Sequence, residues 1–138
     1  MQYRTDKYGN PISILGFGCM RFPSTLGIPQ MEEIEKEIMT AYRAGVNDFD
    51  TAYIYPGSES ALGEVLSKNG IREKVHIATK LPHYLVRKPE DMERIFTEEL
   101  KRLRTDYVDY YLLHMLSDIR SLNRLLEMGF AKWLAEKQ

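Results

Sequence analysis

Short apolar segments alternate with amphipathic segments along almost the whole chain. Before the alternation begins, two short stretches flank the turn signal Gly9-Asn10, and residues 3–13 are predicted to form a β-hairpin. The apolar segments have the length of buried strands, whereas the amphipathic segments repeat their apolar positions at helical spacing. The pattern predicts strands at 14–18, 46–50, 75–79 and 107–113, and helices at 29–44, 58–68, 89–103 and 117–136.

Residues typical of helix ends support these assignments. Pro29 lies at the start of the first predicted helix and Gly45 follows its last turn, and each is common at that position. The second helix is followed by Asn69-Gly70, a frequent stop signal. The third helix begins with acidic residues and ends with basic ones, which is the charge order that the helix dipole favours.

After the hairpin, a strand and a helix follow one another four times. This order predicts a parallel sheet with right-handed crossovers. Two architectures share it: a doubly wound open sheet and the first half of a (β/α)8 barrel, which usually needs about 250 residues in all. The chain has 138 residues, so the pattern leaves both open, and residues 1–138 are expected to form a single α/β domain.

Composition narrows the classes of partner. Hydrophobic residues make up 43% of the chain and charged residues 28%, with a formal net charge of −1. A nearly neutral chain gives no electrostatic reason to expect nucleic acid or an anionic membrane as a partner. The sequence has no apolar run of roughly 20 residues to span a bilayer, and its polar N-terminus lacks the apolar core of a signal peptide. We therefore expect a cytoplasmic protein.

Residues that commonly bind metals are few and are not arranged in a metal motif. Cys19 is the single cysteine, so neither an internal disulfide nor a thiolate-rich zinc or iron–sulfur site is expected within the chain. The three histidines, at positions 76, 83 and 114, do not have the spacing of a motif such as HExxH. The sequence predicts no metal site.

Polar residues with catalytic potential follow the predicted strands. Asp50 ends the second strand, Tyr55 lies in the loop after it, Lys80 follows the third strand and His114 follows the fourth. Both candidate architectures place their ligand sites at the carboxyl ends of parallel strands. These side chains are therefore expected to emerge on one rim, although polar residues at such positions also serve as capping or loop groups.

The identities of these residues favour proton transfer to a carbonyl group. Tyrosine, with an ordinary pKa of about 10, is a poor proton donor at neutral pH, but a neighbouring ammonium favours its phenolate form. A carboxylate can hold that ammonium in place, and a histidine can donate a hydrogen bond that orients a carbonyl. Together such groups would protonate a carbonyl while a cofactor delivers a hydride.

The sequence resembles the aldo-keto reductase superfamily over essentially the whole chain. The first strand and its exit read LGFGCMRFP, and the family's D-x-A-x-x-Y signature is present as DTAYIY. The segments IATKLP and DYYLLH resemble those that contain the family's catalytic lysine and histidine. The resemblance implies a TIM-type (β/α)8 barrel, with about its first four βα units present here after an N-terminal β-hairpin that closes the bottom.

The resemblance also implies an activity, the NAD(P)H-dependent reduction of small aldehydes or ketones to alcohols. Tyr55 would be the general acid, with Lys80 favouring its ionised form. Asp50 would anchor that lysine, and His114 would orient the carbonyl. Met20 and Arg21, together with Asp50, would lie beside the nicotinamide of NADP or NAD, although Arg21 is equally consistent with a surface cation.

In the family, later strands supply most of the cofactor site. The chain is therefore expected to correspond to the N-terminal half of a longer parent, to be inactive alone and to bind no cofactor tightly. Four barrel strands leave two open edges and an apolar inner face, which predicts self-association. The alternative function is a non-catalytic remnant, or a half-barrel binding subunit, that keeps the four residues by ancestry.

Further residues singled out by their type lie outside the group of four. Tyr53, between the acid and the tyrosine, is expected to line the pocket or to pack against the protein. His76 is expected to be packed and hydrogen-bonded, His83 to be a rim loop residue with a possible contact to substrate, and Cys19 to be a small packing residue. Asp48 departs from the apolar pattern of its strand, and the sequence does not reveal a partner for its carboxylate.

Overall fold

The structure, a computed structural model, describes residues 1–137. The helices are α1 (Met31–Arg43), α2 (Ser58–Lys68), α3 (Glu90–Leu103), α4 (Ile119–Glu127) and α5 (Phe130–Ala135). The strands are β1 (Tyr3–Thr5), β2 (Pro11–Ser13), β3 (Phe17–Gly18), β4 (Ser24–Thr25), β5 (Ile28–Pro29), β6 (Asp48–Asp50), β7 (His76–Leu81) and β8 (Tyr110–Leu113).

A parallel sheet of four strands in the order β3-β6-β7-β8 organises the molecule. The order follows the chain without reversal, and right-handed crossovers then place the connecting helices on one face of the sheet. A doubly wound sheet instead reverses its strand order and carries helices on both faces. The observed topology is that of consecutive units of a (β/α)8 barrel, which decides between the two predicted architectures.

The hydrophobic core lies between this sheet and its helices. Phe49 of β6 and Ile77 of β7 are paired in register, are fully buried and belong to one cluster with apolar residues of α1 and α2. A second cluster joins β7 and α3 to the two C-terminal helices. Because side chains alternate along a strand, Asp50, next to Phe49, lies on the opposite face, away from the helices.

The N-terminal hairpin of β1 and β2 lies at the amino ends of the parallel strands, as predicted. Asn47, which directly precedes β6, accepts a hydrogen bond from the Ser13 backbone at 2.8 Å and donates from its own backbone to Ser13 Oγ at 3.1 Å. Tyr110, the first residue of β8, donates to Asp6 Oδ2 at 2.7 Å. The hairpin is therefore at the end of the sheet opposite the strand exits.

The prediction of a buried strand over residues 14–18 is wrong for its first three residues. Within the described part of the chain, only Phe17–Gly18 pairs, and only with β6, whereas Ile14 and Leu15 are 57% and 59% exposed. Gly16 also lies close to the neighbouring strand, where a Cβ would be 2.9 Å from Asp48 Oδ2. Because β3, among residues 1–137, has a neighbouring strand on one side only, the apolar character of residues 14–16 does not extend β3 toward the N-terminus past the close contact at Gly16.

Two further features differ from the predicted pattern. A small hairpin of β4 and β5 was not predicted; its turn residues Leu26 and Gly27 have φ angles of 51° and 79°, as a two-residue hairpin turn requires. Pro29 belongs to this hairpin, and α1 begins after it. The C-terminal segment forms two helices rather than one, since Gly129 has a φ of 86° and ends the first of them.

None of the helices in residues 1–137 is long and apolar enough to cross a membrane.

Candidate functional site

The carboxyl ends of the parallel strands are held side by side by backbone hydrogen bonds. The Cys19 amide donates to the Asp50 carbonyl, Thr51 to Ala78, and His114 to Leu81, each at 2.8 Å. These bonds connect the residues that follow each strand to the neighbouring strand. The rim predicted from the sequence is therefore a continuous edge.

Lys80 and Asp50 are in direct contact at this rim. The Lys80 Nζ donates to Asp50 Oδ1 at 2.5 Å and to the Thr51 carbonyl oxygen at 2.6 Å. The lysine side chain is 13% exposed and the aspartate side chain 44% exposed. The ammonium is thus fixed by two acceptors, one on the last residue of β6 and one on the residue after it. The Asp50 carboxylate remains partly exposed to solvent.

Tyr55 lies beside this ion pair. The tight loop after β6 holds it: its amide donates to the Ala52 carbonyl at 3.0 Å, and its carbonyl accepts from the Ser58 amide at 3.1 Å. The centroid of its ring is 5.1 Å from Lys80 Nζ. An ammonium at this distance from an aromatic ring interacts favourably with it.

His114 completes the group. Its ring packs edge-on against Tyr55, with centroids 5.6 Å apart and planes at 88°. The side chain is buried, and its Nδ1 has no hydrogen-bond partner within the described residues. Burial, and then the nearby Lys80 ammonium, lower the pKa of His114 below its ordinary value. The imidazole is therefore neutral at pH 7 and able to donate a hydrogen bond from one nitrogen.

The structure brings Asp50, Tyr55, Lys80 and His114 together, and their catalytic roles stay predictions. The remaining predicted site residues, Met20 and Arg21, are exposed just beyond the exit of β3. Within residues 1–137 neither side chain forms a hydrogen bond or ion pair with the other four. They border the same rim without being part of the contact group.

Tyr53 packs against α3. Its hydroxyl donates to Glu98 Oε2 at 2.8 Å, and the Arg102 guanidinium lies 4.4 Å from its ring centroid. Of the two roles that the sequence left open for Tyr53, the structure supports packing. Sequence reasoning missed Arg102 and Glu98 as residues that contact the loop after β6, since their spacing and charge are those of an ordinary helix surface.

The other residues singled out in the sequence lie outside the contact group formed by Asp50, Tyr55, Lys80 and His114. Cys19 is fully buried in the core. His76 lies at the start of β7, with Nδ1 3.4 Å from Asp109 Oδ1. His83 is buried, and its Nε2 lies 3.4 Å from the Met115 carbonyl oxygen. Asp48 forms no side-chain hydrogen bond among the described residues, and burial followed by the charge of Asp50 raises its pKa.

Comparison with known proteins identifies the family. A model described as Aldo/keto reductase family matches residues 14–128. The chain belongs to the aldo/keto reductase family. The matched residues include the four residues of the rim group. The fold is part of a TIM barrel, as expected.

Individual relatives agree with this assignment. The NADP(+) aldo-keto reductase yakc of Schizosaccharomyces pombe is 27% identical over 91% of this chain and 41% of its own length. An aldehyde reductase of Saccharomyces cerevisiae is 36% identical over 77% of this chain and 31% of its own. A crystal structure of a thermostable aldo-keto reductase in complex with the inhibitor epalrestat superimposes with a TM-score of 0.72 and 28% identity, over 94% of this chain and 51% of that one. The chain thus spans less than half the length of these curated relatives.

Proposed function

We propose that the chain carries the catalytic half of an NADP(H)-dependent reductase that converts small aldehydes or ketones to alcohols. The observation that carries the proposal is the Lys80–Asp50 contact, with Nζ and Oδ1 2.5 Å apart and Nζ 5.1 Å from the Tyr55 ring. Membership of the family and the names of the relatives support the same reaction class.

Each rim residue has a role that follows from its contacts. The Tyr55 phenol donates its proton to the carbonyl oxygen of the substrate, and the Lys80 ammonium stabilises the phenolate that remains. Asp50 and the Thr51 carbonyl keep the ammonium in position. His114, neutral because burial and Lys80 lower its pKa, donates a hydrogen bond to the same carbonyl oxygen and orients it.

The residues at the exit of β3 fit the nicotinamide end of a dinucleotide. A Cβ built on Gly18 would meet no atom of residues 1–137 within 4 Å, so the backbone there borders open space. Met20 and Arg21 are exposed just beyond it, and Asp50 is partly exposed beside it. When bound, NADPH supplies the hydride of the reduction. We propose that these residues hold its nicotinamide end, with NADP favoured over NAD by the name of the fission yeast relative.

The 138-residue chain by itself is proposed to bind NADPH weakly and to be inactive. The contacts available at this rim lie near the nicotinamide, and they are few against the cost of ordering a long, charged ligand. A fluorescence titration with NADPH tests this part. Binding at micromolar concentration would contradict it and would show that four parallel strands suffice.

The catalytic part is tested by replacing Tyr55 with phenylalanine in a form of the protein that carries the complete barrel. Tyr55→Phe keeps the ring and removes the transferable proton, so kcat for a small aldehyde or quinone should fall by about 10² to 10⁴, with NADPH affinity retained. Tyr8→Phe, at an exposed position of the hairpin turn, is the matched control and should keep full activity. An unchanged kcat in Tyr55→Phe would mean that Tyr55 is not the proton donor.

A further inference from the structure

The loop that carries Tyr55 is attached to α3 through Arg102. Nη1 of Arg102 donates to the Tyr53 carbonyl oxygen at 3.0 Å and to Glu59 Oε2 at 3.3 Å, and Nη2 donates to Glu98. The guanidinium carbon also lies 4.4 Å from the centroid of the Tyr53 ring. One side chain therefore contacts both the backbone and the ring of a residue two positions before Tyr55.

Glu98 secures the same tyrosine from its other end. The Tyr53 hydroxyl donates to Glu98 Oε2 at 2.8 Å, and Glu98 lies one helical turn before Arg102 on α3. This hydrogen bond, followed by the charge of Arg102, holds the pKa of Glu98 below its usual range. Glu98 is thus ionised at neutral pH, and Tyr53 is held at its carbonyl, its ring face and its hydroxyl.

Glu59 connects the same arginine to the strand of the catalytic lysine. Its side chain is 1% exposed, and its Oε1 accepts from Thr79 Oγ1 at 2.7 Å. Thr79 directly precedes Lys80 in β7. The path from Thr79 through Glu59 and Arg102 to Tyr53 therefore joins the strand of Lys80 to the loop of Tyr55 on the outer side of the sheet.

We propose that Arg102, Glu98 and Tyr53 form a clamp that fixes the Tyr55 loop beside Lys80, and that they are positioning residues for proton donation. The catalytic meaning of the clamp rests on the function proposed above, whereas its mechanical role does not. Arginine suits this position because its planar fork reaches several acceptors while its face stacks on an aromatic ring. A lysine, with its compact charge, cannot reproduce that set of contacts.

The test is backbone amide hydrogen exchange, measured by NMR on the 138-residue chain. In Arg102→Lys, the Tyr55 and Ser58 amides, which close the loop, should exchange at least tenfold faster than in the wild type. The Thr51 and His114 amides, which bond between strand exits, should change by less than twofold. The nuclear Overhauser contacts between the Tyr55 and His114 rings should weaken in the same variant.

Two further variants sharpen the result. Arg104→Lys is the matched control, since Arg104 lies two positions later, is half-exposed and pairs with Glu64 on the surface; it should leave all four amides unchanged. Tyr53→Phe keeps the ring and removes the hydroxyl, and should accelerate exchange at Tyr55 and Ser58 by a smaller factor. It provides the test on its own if Arg102→Lys does not fold.

The outcomes separate the clamp from a general contribution to stability. Equal acceleration of the four amides, or no acceleration at Tyr55 and Ser58, would overturn the proposal. Because the measurement needs neither cofactor nor turnover, it is independent of the Tyr55→Phe kinetics. A localised effect together with unchanged Tyr55→Phe kinetics would retain the clamp and remove the proposed role of Tyr55 as proton donor.

Discussion

Two buried carboxyl groups, from Glu59 and Glu99, lie near the hydroxyl of Thr79 on the helix-covered face of the sheet. Thr79 Oγ1 lies 2.7 Å from Glu59 Oε1 and 3.5 Å from Glu99 Oε1, and the Tyr111 hydroxyl donates to Glu99 Oε2 at 2.6 Å. A threonine hydroxyl has a single proton to donate, so a neutral Glu99 that donates its own proton would complete the arrangement. Burial raises the pKa of Glu99 to about 8, which favours this neutral form at pH 7.

The buried acid makes the stability of the protein depend on pH. Since the folded-state pKa of Glu99 lies above its ordinary value of 4.5, the folded state binds the additional proton between these two values. The stability that this proton confers is complete below pH 4.5 and is lost as pH rises through about 8, by at most about 1.4 kcal/mol per pH unit. Glu99→Gln, which cannot ionise, should flatten the profile of unfolding free energy across this window, as measured by urea denaturation.

Glu90→Gln, at an exposed position at the start of α3, is the control for the loss of an acid from that helix. It should reproduce the wild-type profile. A Glu99→Gln profile as steep as that of the wild type would show that Glu99 is ionised in the folded protein already at neutral pH.

At the scale of residues, sequence reasoning could predict the rim and could not predict what supports it. The four rim residues could be found because strand exits are recognisable and because short motifs carry the family resemblance. Arg102 and Glu98 could not be found, since a charged residue near the end of an amphipathic helix usually faces solvent. Their contacts depend on how α3 packs against α2 and the loop, which a single sequence does not encode in a local pattern.

The packing of α2 against α3 depends on one glycine. A Cβ on Gly63 would lie 2.5 Å from the carbonyl carbon and oxygen of Leu103 and 2.6 Å from the Arg102 carbonyl oxygen. All of these are backbone atoms, which cannot turn aside as a flexible side chain can. The missing side chain therefore lets the end of α3 approach α2 closely, at the point where Arg102 reaches the loop that carries Tyr53 and Tyr55.

Gly63→Ala should destabilise the protein by about 1–3 kcal/mol through this overpacking. Alanine would otherwise be favoured over glycine inside a helix by about 1 kcal/mol, so a net loss would identify the contact as its cause. Gly18→Ala is the control, because its Cβ would meet no atom of the described residues within 4 Å. Chemical denaturation measures both variants, and a Gly63→Ala protein as stable as the wild type would show that the two helices can separate without cost.

At the scale of elements, the regular helices and inner strands could be predicted, and the irregular connections could not. Residues 58–68 form the predicted helix with the predicted ends, because helix formers and a glycine stop agree there. Residues 14–18 show the opposite case, since an apolar run predicts burial only when partners lie on both sides. The hairpin of β4 and β5 depends on the positive φ angles of Leu26 and Gly27. Leucine rarely adopts a positive φ, so the sequence does not indicate a turn at Leu26.

The sheet as a whole has two edge strands, β3 and β8. Among the described residues, β3 pairs only with β6, and β8 pairs only with β7. The face of the sheet that points away from the helices, called the open face below, carries apolar side chains as well as the rim residues. Leu112 is paired in register with Lys80, so both lie on that face, and it is 42% exposed. Unpaired parallel edges and an exposed apolar face both favour association with another chain.

We therefore propose that the 138-residue chain self-associates in solution through these edges and the open face. Light scattering after size-exclusion chromatography should give a mass above the 16.1 kDa of one chain. Leu112→Glu places a charge on the open face and should shift the population toward monomer, because association would then bury an unpaired carboxylate. Leu126→Glu, on the exposed side of α4 at a comparable 46% exposure, should leave the association unchanged. A monodisperse wild-type monomer, or equal effects of the two glutamates, would show that the open face and edges do not drive assembly.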